Sequence, residues 1–418
     1  MSKRKSFIST ALLCLVLLVA CIPLPTAPEE TVDIPLGPQL SQSEFQTKVF
    51  EAAWVQLEKN YVYYESSNLN WNTLHDTYTN KINSGLTNDE FQKLMTEFTN
   101  EFPEGDIRYQ SRSEKIKNEI INTTEMGGIG VFVSYEEKDI PHIVVLDVIP
   151  GSQAEKAGLR PHDSILAIDN EPVKAEEGLS AIDRIRGTIG STVVLTVQTP
   201  GKSKRDVTVK RAQLSGTGSI KSGEIPNTNV GYILIPTSAT SSSSNDLVSA
   251  VTELTQNTEL KGIIIDLRIS NATSNWPLQA LLTMFENGNI GEVYNRNESQ
   301  LFSVEGQDIS GSQTIPLVIL VGENTAGLPE IFAASVQDIN RGTIIGSNTS
   351  GRMEVLNIFD LPDGSEIFIA NTSFRLSKGK SIGSGIQPTV KVDARWDEVT
   401  SNNDPVIDAA VQSFEVAP

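Results

Sequence analysis

The chain has 418 residues, which predicts two to four domains at about 100–200 residues per domain. Hydrophobic residues make up 39% of it and charged residues 20%, a balance typical of globular proteins that bury a core. The formal net charge is −19 at pH 7, and so acidic a surface repels the phosphate backbone of nucleic acids. Composition therefore argues against a nucleic-acid partner.

The first residues have the pattern of a lipoprotein signal peptide. Three basic residues at positions 3–5 precede an uncharged apolar run that is shorter than the about 20 residues a membrane-spanning helix needs. The run ends in Leu-Val-Ala-Cys, which resembles a bacterial lipobox. We expect a signal peptide over 1–20, a lipid-anchored Cys21 and an extracytoplasmic protein at the membrane of the cell envelope. The alternative is an uncleaved anchor followed by an ordinary cysteine.

Proline, helical spacing and capping signals divide the next part of the chain. Residues 21–40 are rich in proline and predict an extended tether. Residues 41–125 predict a helical domain, because large apolar side chains recur at helical spacing and Thr87 with Glu90 forms a capping-box pattern. The apolar side chains of the first helix are Phe50, Trp54, Leu57 and Tyr61.

Beyond residue 125 the pattern changes to strands. Residues 126–212 hold short β-rich runs separated by Pro-Gly turns, and 213–228 is a Gly/Ser/Asn-rich stretch that predicts a linker. Residues 229–398 alternate strand and helix, which is typical of an α/β core, and 399–418 form a C-terminal segment. The fold class predicted is therefore multidomain α+β.

The middle region carries motifs of a PDZ domain. Met-Gly-Gly-Ile-Gly-Val-Phe from Met126 resembles the glycine-rich carboxylate-binding loop of that family, and Pro-Gly-Ser-Gln-Ala-Glu-Lys-Ala-Gly-Leu from Pro150 follows in the expected order. Such a loop exposes successive backbone N–H groups to a terminal carboxylate, and the strand after it can pair with an extended peptide. A PDZ fold that only braces its neighbours is the alternative. The predicted peptide-binding residues are Gly128, Ile129, Gly130, Val131, Ile182 and Ile185.

The whole chain after the tether resembles the carboxyl-terminal processing, or tail-specific, serine proteases. The resemblance is carried by Val-Gly-Tyr-Ile-Leu-Ile-Pro from Val230, Lys-Gly-Ile-Ile-Ile-Asp-Leu-Arg from Lys261 and Glu-Ile-Phe-Ala-Ala from Glu330, with Leu-Pro-Asp-Gly-Ser from Leu361 further on. It implies a crotonase- or ClpP-like α/β core. It also implies a serine nucleophile, a lysine base and a glutamine that supports the lysine.

The positions that match those catalytic residues are occupied by others. Gly327 stands at the serine position, Arg352 at the lysine position and Leu356 at the glutamine position, and residues 268–273 depart from the segment that binds the oxyanion. Glycine has no oxygen to form an acyl-enzyme, and arginine is too basic to accept a proton at neutral pH. Thr325 is a further candidate nucleophile without a credible base. Arg352 suits either a carboxylate ligand or a structural ion pair.

We therefore predict a lipid-anchored pseudo-protease that binds peptides or protein C-termini through its PDZ domain and serves as a scaffold or regulator. The alternatives are an active C-terminal processing endopeptidase with a displaced nucleophile, and a small-molecule binding protein on the same fold. No metal site and no cofactor are expected, since no His/Asp/Glu cluster has metal-ligand spacing. The histidines lie outside the protease-like segment: His75, His142 and His162.

Overall fold

The structure is a computed structural model that describes residues 40–103, 105–116, 126–213, 218–256, 260–351, 353–381, 383, 385–400 and 402–416. The predicted signal peptide, Cys21, nearly all of the tether and Arg352 lie outside these residues. From Gln42 onward the described residues belong to one structural unit. Among the described helices, none combines the length and apolar character that a membrane span requires.

The helical region, which we define as residues 40–103, consists of α1 (Gln42–Asn60), α2 (Trp71–Asn83) and α3 (Asn88–Thr99). The capping box is present at α3: Glu90 Oε2 accepts the Thr87 amide N–H at 2.8 Å, and Thr87 Oγ accepts that of Glu90 at 3.3 Å. The buried aromatic face predicted for α1 packs on α2 and α3, and α3 contacts β1 (Ile107–Gln110). The same apolar cluster includes strand residues far along the chain, so this region completes a core instead of forming one alone.

The PDZ-like region, residues 126–213, is built on an antiparallel sheet whose β3 occupies one edge. A 3₁₀-helical segment, Ala175–Ile185, packs beside that edge strand. Sheet order is β3-β4-β5-β8-β9, with β6 paired to β5 and β2 paired to β7. The elements are β2 (Met126–Gly127), β3 (Val131–Glu136), β4 (His142–Val148), α4 (Gln153–Lys156), β5 (Ser164–Ile168), β6 (Glu171–Pro172), β7 (Gly187–Thr188), β8 (Thr192–Gln198) and β9 (Arg205–Lys210).

The core region, residues 218–416, contains a sheet of order β10-β11-β12-β16-β18-β21 that is parallel from β11 onward. Its elements begin with β10 (Lys221–Ile225), β11 (Val230–Leu234), α5 (Ser244–Thr255), β12 (Gly262–Asp266), β13 (Asn271–Ala272), α6 (Leu278–Phe285), β14 (Gly288–Tyr294) and β15 (Ser299–Val304). They continue with β16 (Leu317–Val321), β17 (Ala326–Gly327), α7 (Leu328–Asp338), β18 (Thr343–Gly346), β19 (Val355–Asp360), β20 (Glu366–Leu376), β21 (Val390–Lys391) and α8 (Pro405–Val416).

Apolar side chains cover both faces of this parallel sheet, as buried parallel strands require. One face packs against α5, α6 and α7, and the other against α8 through Val406 and Ala410. A second, antiparallel sheet of order β1-β20-β14-β15, with β19 beside β20, joins the core region to the helical region. Together the three regions give the α+β architecture expected from the sequence.

Two stretches hold elements that their composition did not predict. The predicted linker over 213–228 contains β10, whose side chains are mostly exposed and polar, so it lacks the apolar alternation by which strands are recognised. The predicted C-terminal segment over 399–418 contains α8, which is part of the core. In both cases tertiary contacts supply what the local pattern does not indicate.

Candidate functional site

Gly327 lies at a sharp turn where β17 ends and α7 begins. Its backbone has φ 74° and ψ −129°, a left-handed conformation that glycine adopts without strain. Other hydrolases present their nucleophile on a strained strand-to-helix turn of this kind. The chain therefore has a strand-to-helix turn, the Gly327 turn, at the position that the sequence predicts for the nucleophile, and glycine contributes no side-chain atom there.

The space beside Gly327 is filled by backbone. A Cβ atom built on this glycine would lie 2.2 Å from the carbonyl oxygen of Ala272. The cause is the pairing of β13 with β17, which sets Ala272 opposite Gly327, while the Ala326 amide donates to the Ser270 carbonyl at 3.1 Å. Residues 268–273, the segment predicted to match the oxyanion-binding loop, thus close over the position where a nucleophile would project.

Glu330 ties this turn to the loop that precedes Arg352. Its buried carboxylate accepts the Gly327 amide at 3.0 Å and the Gly351 amide at 2.8 Å, and it also accepts the hydroxyl of Thr349. The loop therefore ends next to the Gly327 turn. Leu356 lies on β19, where its side chain packs with the apolar cluster of the helical region.

Thr325 does not offer a free hydroxyl. The residue is fully buried, and its Oγ1 accepts the Gly322 amide at 2.9 Å while it donates to the Leu267 carbonyl at 2.8 Å. Ser350 is different because it is exposed and lines the neighbouring cavity, although its hydroxyl donates to the Thr325 carbonyl at 3.2 Å.

In the glycine-rich loop of the PDZ-like region, one backbone amide is already hydrogen-bonded within the protein. The Gly128 amide donates to the Ala212 carbonyl at 3.1 Å, so this N–H is not free for a peptide carboxylate, and peptide contact by Gly128 stays a prediction. Among the described residues, the amides of Ile129 and Gly130 have no acceptor. Gly130 has φ +91°, and a Cβ on it would lie 2.3 Å from that of Ser152, so glycine is required for this close approach.

A groove runs along the outer edge of β3. Tyr135 of β3 borders it, whereas Val131, Ile182 and Ile185, which the sequence predicted to bind the peptide, pack in the apolar cluster of the PDZ-like region. Ile185 is buried in the core of the PDZ-like region, whereas Ile182 packs partly against it. Leu179 also borders the groove and is 67% exposed. Sequence reasoning missed Leu179, although its spacing of three residues from Ile182 was a usable signal.

The groove and the Gly327 turn open into one cavity of about 630 Å³. From the PDZ-like region it is lined by Val133, Tyr135 and Leu179, and from the core region by Asn271, Asn324, Ala326 and Ser350. A peptide held along β3 would therefore extend into the space beside the Gly327 turn. The sequence did not predict this shared cavity.

The segment Arg395–Glu398 joins the PDZ-like region to the core region. Trp396 packs against Val144 and Leu146 of β4. The Nδ1–H of His162 donates to the Trp396 carbonyl at 2.6 Å, and Nε2 of His142 lies 2.7 Å from Oδ2 of Asp397. Both histidines thus contact the core region, which their position in the sequence did not suggest.

The described residues contain no group of three or more His, Cys, Asp or Glu side chains placed to hold a metal ion. The pKa of Glu323, which lines the cavity, is raised by burial and then by the nearby Glu136 carboxylate.

Three parts of the chain match models of known families. Residues 229–392 match peptidase family S41, residues 119–198 match the PDZ domain and residues 44–100 match the tricorn protease C1 domain. A carboxyl-terminal-processing protease of Picosynechococcus is 30% identical over 292 residues, with 66% of this chain and 67% of that protein covered. The chloroplastic C-terminal processing peptidase of Tetradesmus obliquus is 24% identical, with 82% and 77% covered.

Solved structures show the same fold at lower identity. A photosystem II D1 C-terminal processing protease superposes with a TM-score of 0.58 at 22% identity, covering 85% of this chain and 94% of that one. A putative peptidase from Parabacteroides merdae superposes with a TM-score of 0.56 at 13% identity, covering 89% and 97%.

Proposed function

This chain belongs to peptidase family S41, the C-terminal processing proteases, and we propose that it binds peptide or protein C-termini through its PDZ-like region without cleaving them. The observation that carries the proposal is Gly327. It stands at the position that the sequence predicts for the nucleophile, it has no side-chain oxygen, and the Ala272 carbonyl fills the adjoining space. In another serine hydrolase, loss of the nucleophile alone costs about a millionfold in kcat.

The residues around Gly327 supply no replacement. Arg352 stands at the position of the base, and an arginine side chain stays protonated at neutral pH. The Thr325 hydroxyl is buried and bonded on both sides. Ser350 reaches the cavity, but among the described residues no lysine or histidine hydrogen-bonds to it.

Features that support tail binding are intact. The amides of Ile129 and Gly130 have no acceptor among the described residues, so they can donate to a terminal carboxylate. The strand β3 lies at the edge of its sheet, where its N–H and C=O groups can pair with an added strand. We further propose that the protein is a scaffold or regulator held outside the cytoplasm by lipid on Cys21. The lipobox pattern at that cysteine supports the anchoring.

The test combines two measurements on residues 22–418. Fluorescence anisotropy with labelled peptides of varied C-termini measures tail binding, and the matched control is each peptide with its terminal carboxylate amidated. We expect binding that amidation weakens by about tenfold or more, since a charge-assisted hydrogen bond is lost. Equal binding of free and amidated peptides would exclude tail recognition.

Hydrolysis of an unstructured protein is measured in parallel. We expect none from the wild type. Cleavage that Ser350→Ala or Thr325→Ala abolishes would instead establish an active endopeptidase with a displaced nucleophile. An apolar molecule that stays bound through purification would favour the small-molecule carrier.

A further inference from the structure

The far end of β3 enters an acidic part of the cavity. Glu136 and Glu137 come from the PDZ-like region, and Glu323 and Asp397 come from the core region. All four line the same space, yet no lysine or arginine is among the residues that line it. The acidic character is therefore built from two regions that are far apart in the sequence.

One cation beside this cavity, Arg395, contacts only one of the four carboxylates. It pairs with Asp397 at 3.7 Å, and it also pairs with Asp139 at 3.2 Å and with Glu398 at 2.9 Å, which lie outside the lining. Asp397 is bonded to His142 at 2.7 Å and accepts the hydroxyl of Ser164 at 3.0 Å.

Two carboxylates of the cavity have no such partner. In the part of the chain that the structure describes, Glu137 and Glu323 have no ion-pair partner within 4.0 Å. Burial, and then the Glu136 carboxylate, raise the pKa of Glu323, although Arg395 and Lys138 act in the opposite direction.

Geometry fixes which part of a bound tail meets these carboxylates. The free amides of Ile129 and Gly130 precede β3, so a tail whose carboxylate lies there runs antiparallel to the strand. Strand residues pair one to one, at about 3.4 Å per residue. The end of β3 at Glu136 is five residues beyond Val131. The tail residues about four to six positions before its carboxyl terminus therefore pass the acidic end of the groove.

We propose that this protein selects tails that carry lysine or arginine about four to six residues before the carboxyl terminus, which Glu137 and Glu323 recognise. The inference rests on the proposed tail binding and names its substrate class. Val144, Leu146 and Trp396 line the same cavity and suit the aliphatic stems of long basic side chains. Complementary charge of this kind gives specificity and faster association more than raw affinity.

The experiment compares two pools of synthetic peptides on residues 22–418. Both pools have random apolar residues at the last three positions, and they differ only at the fourth to sixth positions from the end, which are lysine in one and glutamate in the other. We expect the lysine pool to bind about tenfold more tightly at low salt. The ratio should fall towards one at about 1 M salt, where the Debye length is about 3 Å.

A pair of double variants separates this site from general attraction to an acidic protein. Glu137→Gln with Glu323→Gln should remove most of the preference while the glutamate pool still binds, which also shows that the groove is folded. Glu253→Gln with Glu298→Gln removes the same charge from exposed residues that do not line the cavity, and it should leave the preference unchanged.

The outcomes distinguish the two proposals. Equal binding of both pools, or an equal loss of preference in the two double variants, would overturn the basic selectivity and leave tail binding standing. If neither pool binds and amidation has no effect on any peptide, tail binding itself is overturned and the selectivity with it.

Discussion

Nε2 of His142, on a strand of the PDZ-like region, lies 2.7 Å from Oδ2 of Asp397 in the core region, and both side chains are buried. Nδ1 of the same ring lies 2.6 Å from the Ile140 carbonyl oxygen, so both ring nitrogens face acceptors. Only the protonated imidazolium can donate both bonds. Although burial by itself lowers the pKa of His142, the hydrogen bond to Asp397 raises it overall.

We expect this pair to make the attachment of the PDZ-like region to the core region dependent on pH. The pKa of His142 is higher in the folded state than its value of about 6.5 in the unfolded chain. The histidine therefore stabilises the folded protein below about pH 6.5, and this stabilisation is lost as pH rises through the folded pKa. Burial by itself raises the pKa of Asp397, but His142 lowers it overall. Asp397 therefore stabilises the folded protein above the pKa of about 3.9 that an aspartate has in the unfolded chain, and this stabilisation is lost as pH falls through the lowered pKa. The pair is therefore strongest between about pH 4 and 6.5.

We expect His142→Gln to reduce the free energy of unfolding by about 1–3 kcal/mol near pH 5.5 and by less near pH 8.5. Denaturant titrations of wild type and variant at both pH values measure the difference. Burial lowers the pKa of His162, so this residue makes the stability of each protein rise with pH. The effect is the same in wild type and variant, and it cancels in the difference between them.

Hydrogen exchange supplies the local control for that prediction. Amides of β4 should exchange faster in His142→Gln at the lower pH, whereas His75→Gln, whose partner Glu51 lies within the helical region, should leave them unchanged. A loss of stability that is the same at both pH values would contradict the assigned protonation of His142.

Gly327→Ala tests whether the Ala272 carbonyl leaves room for a side chain at the Gly327 turn. We expect a loss of about 3 kcal/mol or more, because the new methyl group adds a clash with the Ala272 carbonyl to the strain of a positive φ. Gly201→Ala is the matched control, with φ +72° against +74° and no atom within 4 Å of the added Cβ. It should cost about 1 kcal/mol. Similar losses in the two variants would mean that the Ala272 segment moves aside readily.

The same closure predicts the behaviour of a variant with the family's catalytic residues. Gly327→Ser combined with Arg352→Lys and Leu356→Gln should remain inactive on an unstructured protein, because the serine side chain has no room unless residues 271–273 shift. Gly327→Ser alone is the control for the stability loss. Hydrolysis by the triple variant would contradict the closed geometry, while it would support the alignment drawn from the sequence.

Glu330→Gln tests the link between the Gly327 turn and the loop of 349–351. An amide in place of the carboxylate sets an N–H₂ group against backbone or hydroxyl donors, and we expect a loss of about 1–3 kcal/mol in the free energy of unfolding. Glu253→Gln, an exposed glutamate of α5, should change stability by less than about 0.5 kcal/mol. Denaturant titration measures both, and equal values would show that Glu330 has no structural role.

Leu179→Asp tests the wall of the groove. The side chain is 67% exposed, so its loss should leave stability nearly unchanged and weaken tail binding by about tenfold, through lost apolar contact. Leu301→Asp is the matched control, since Leu301 is 71% exposed on β15 and does not border the groove. Anisotropy with the labelled peptides measures the change. Unaltered binding in Leu179→Asp would place the tail elsewhere.

Much of the local structure followed from short-range patterns. The spacing of Phe50, Trp54 and Leu57 indicates a buried helix face because a helix repeats every 3.6 residues, and Thr87 with Glu90 marks the start of the third helix. Motif order indicated the PDZ-like region and the protease-like core. The strand Lys221–Ile225 was missed because its exposed polar residues are stabilised only by pairing with β11.

By itself, the sequence determined the family and the order of the regions, and it predicted which residue stands at the nucleophile position, since each depends on residue type and spacing alone. Only the tertiary structure decided that Ala272 closes over Gly327, that Gly128 is bonded to Ala212, and that His142 meets Asp397. These contacts join residues up to 255 positions apart in the chain. No local pattern encodes them, because they arise where separately specified elements pack together.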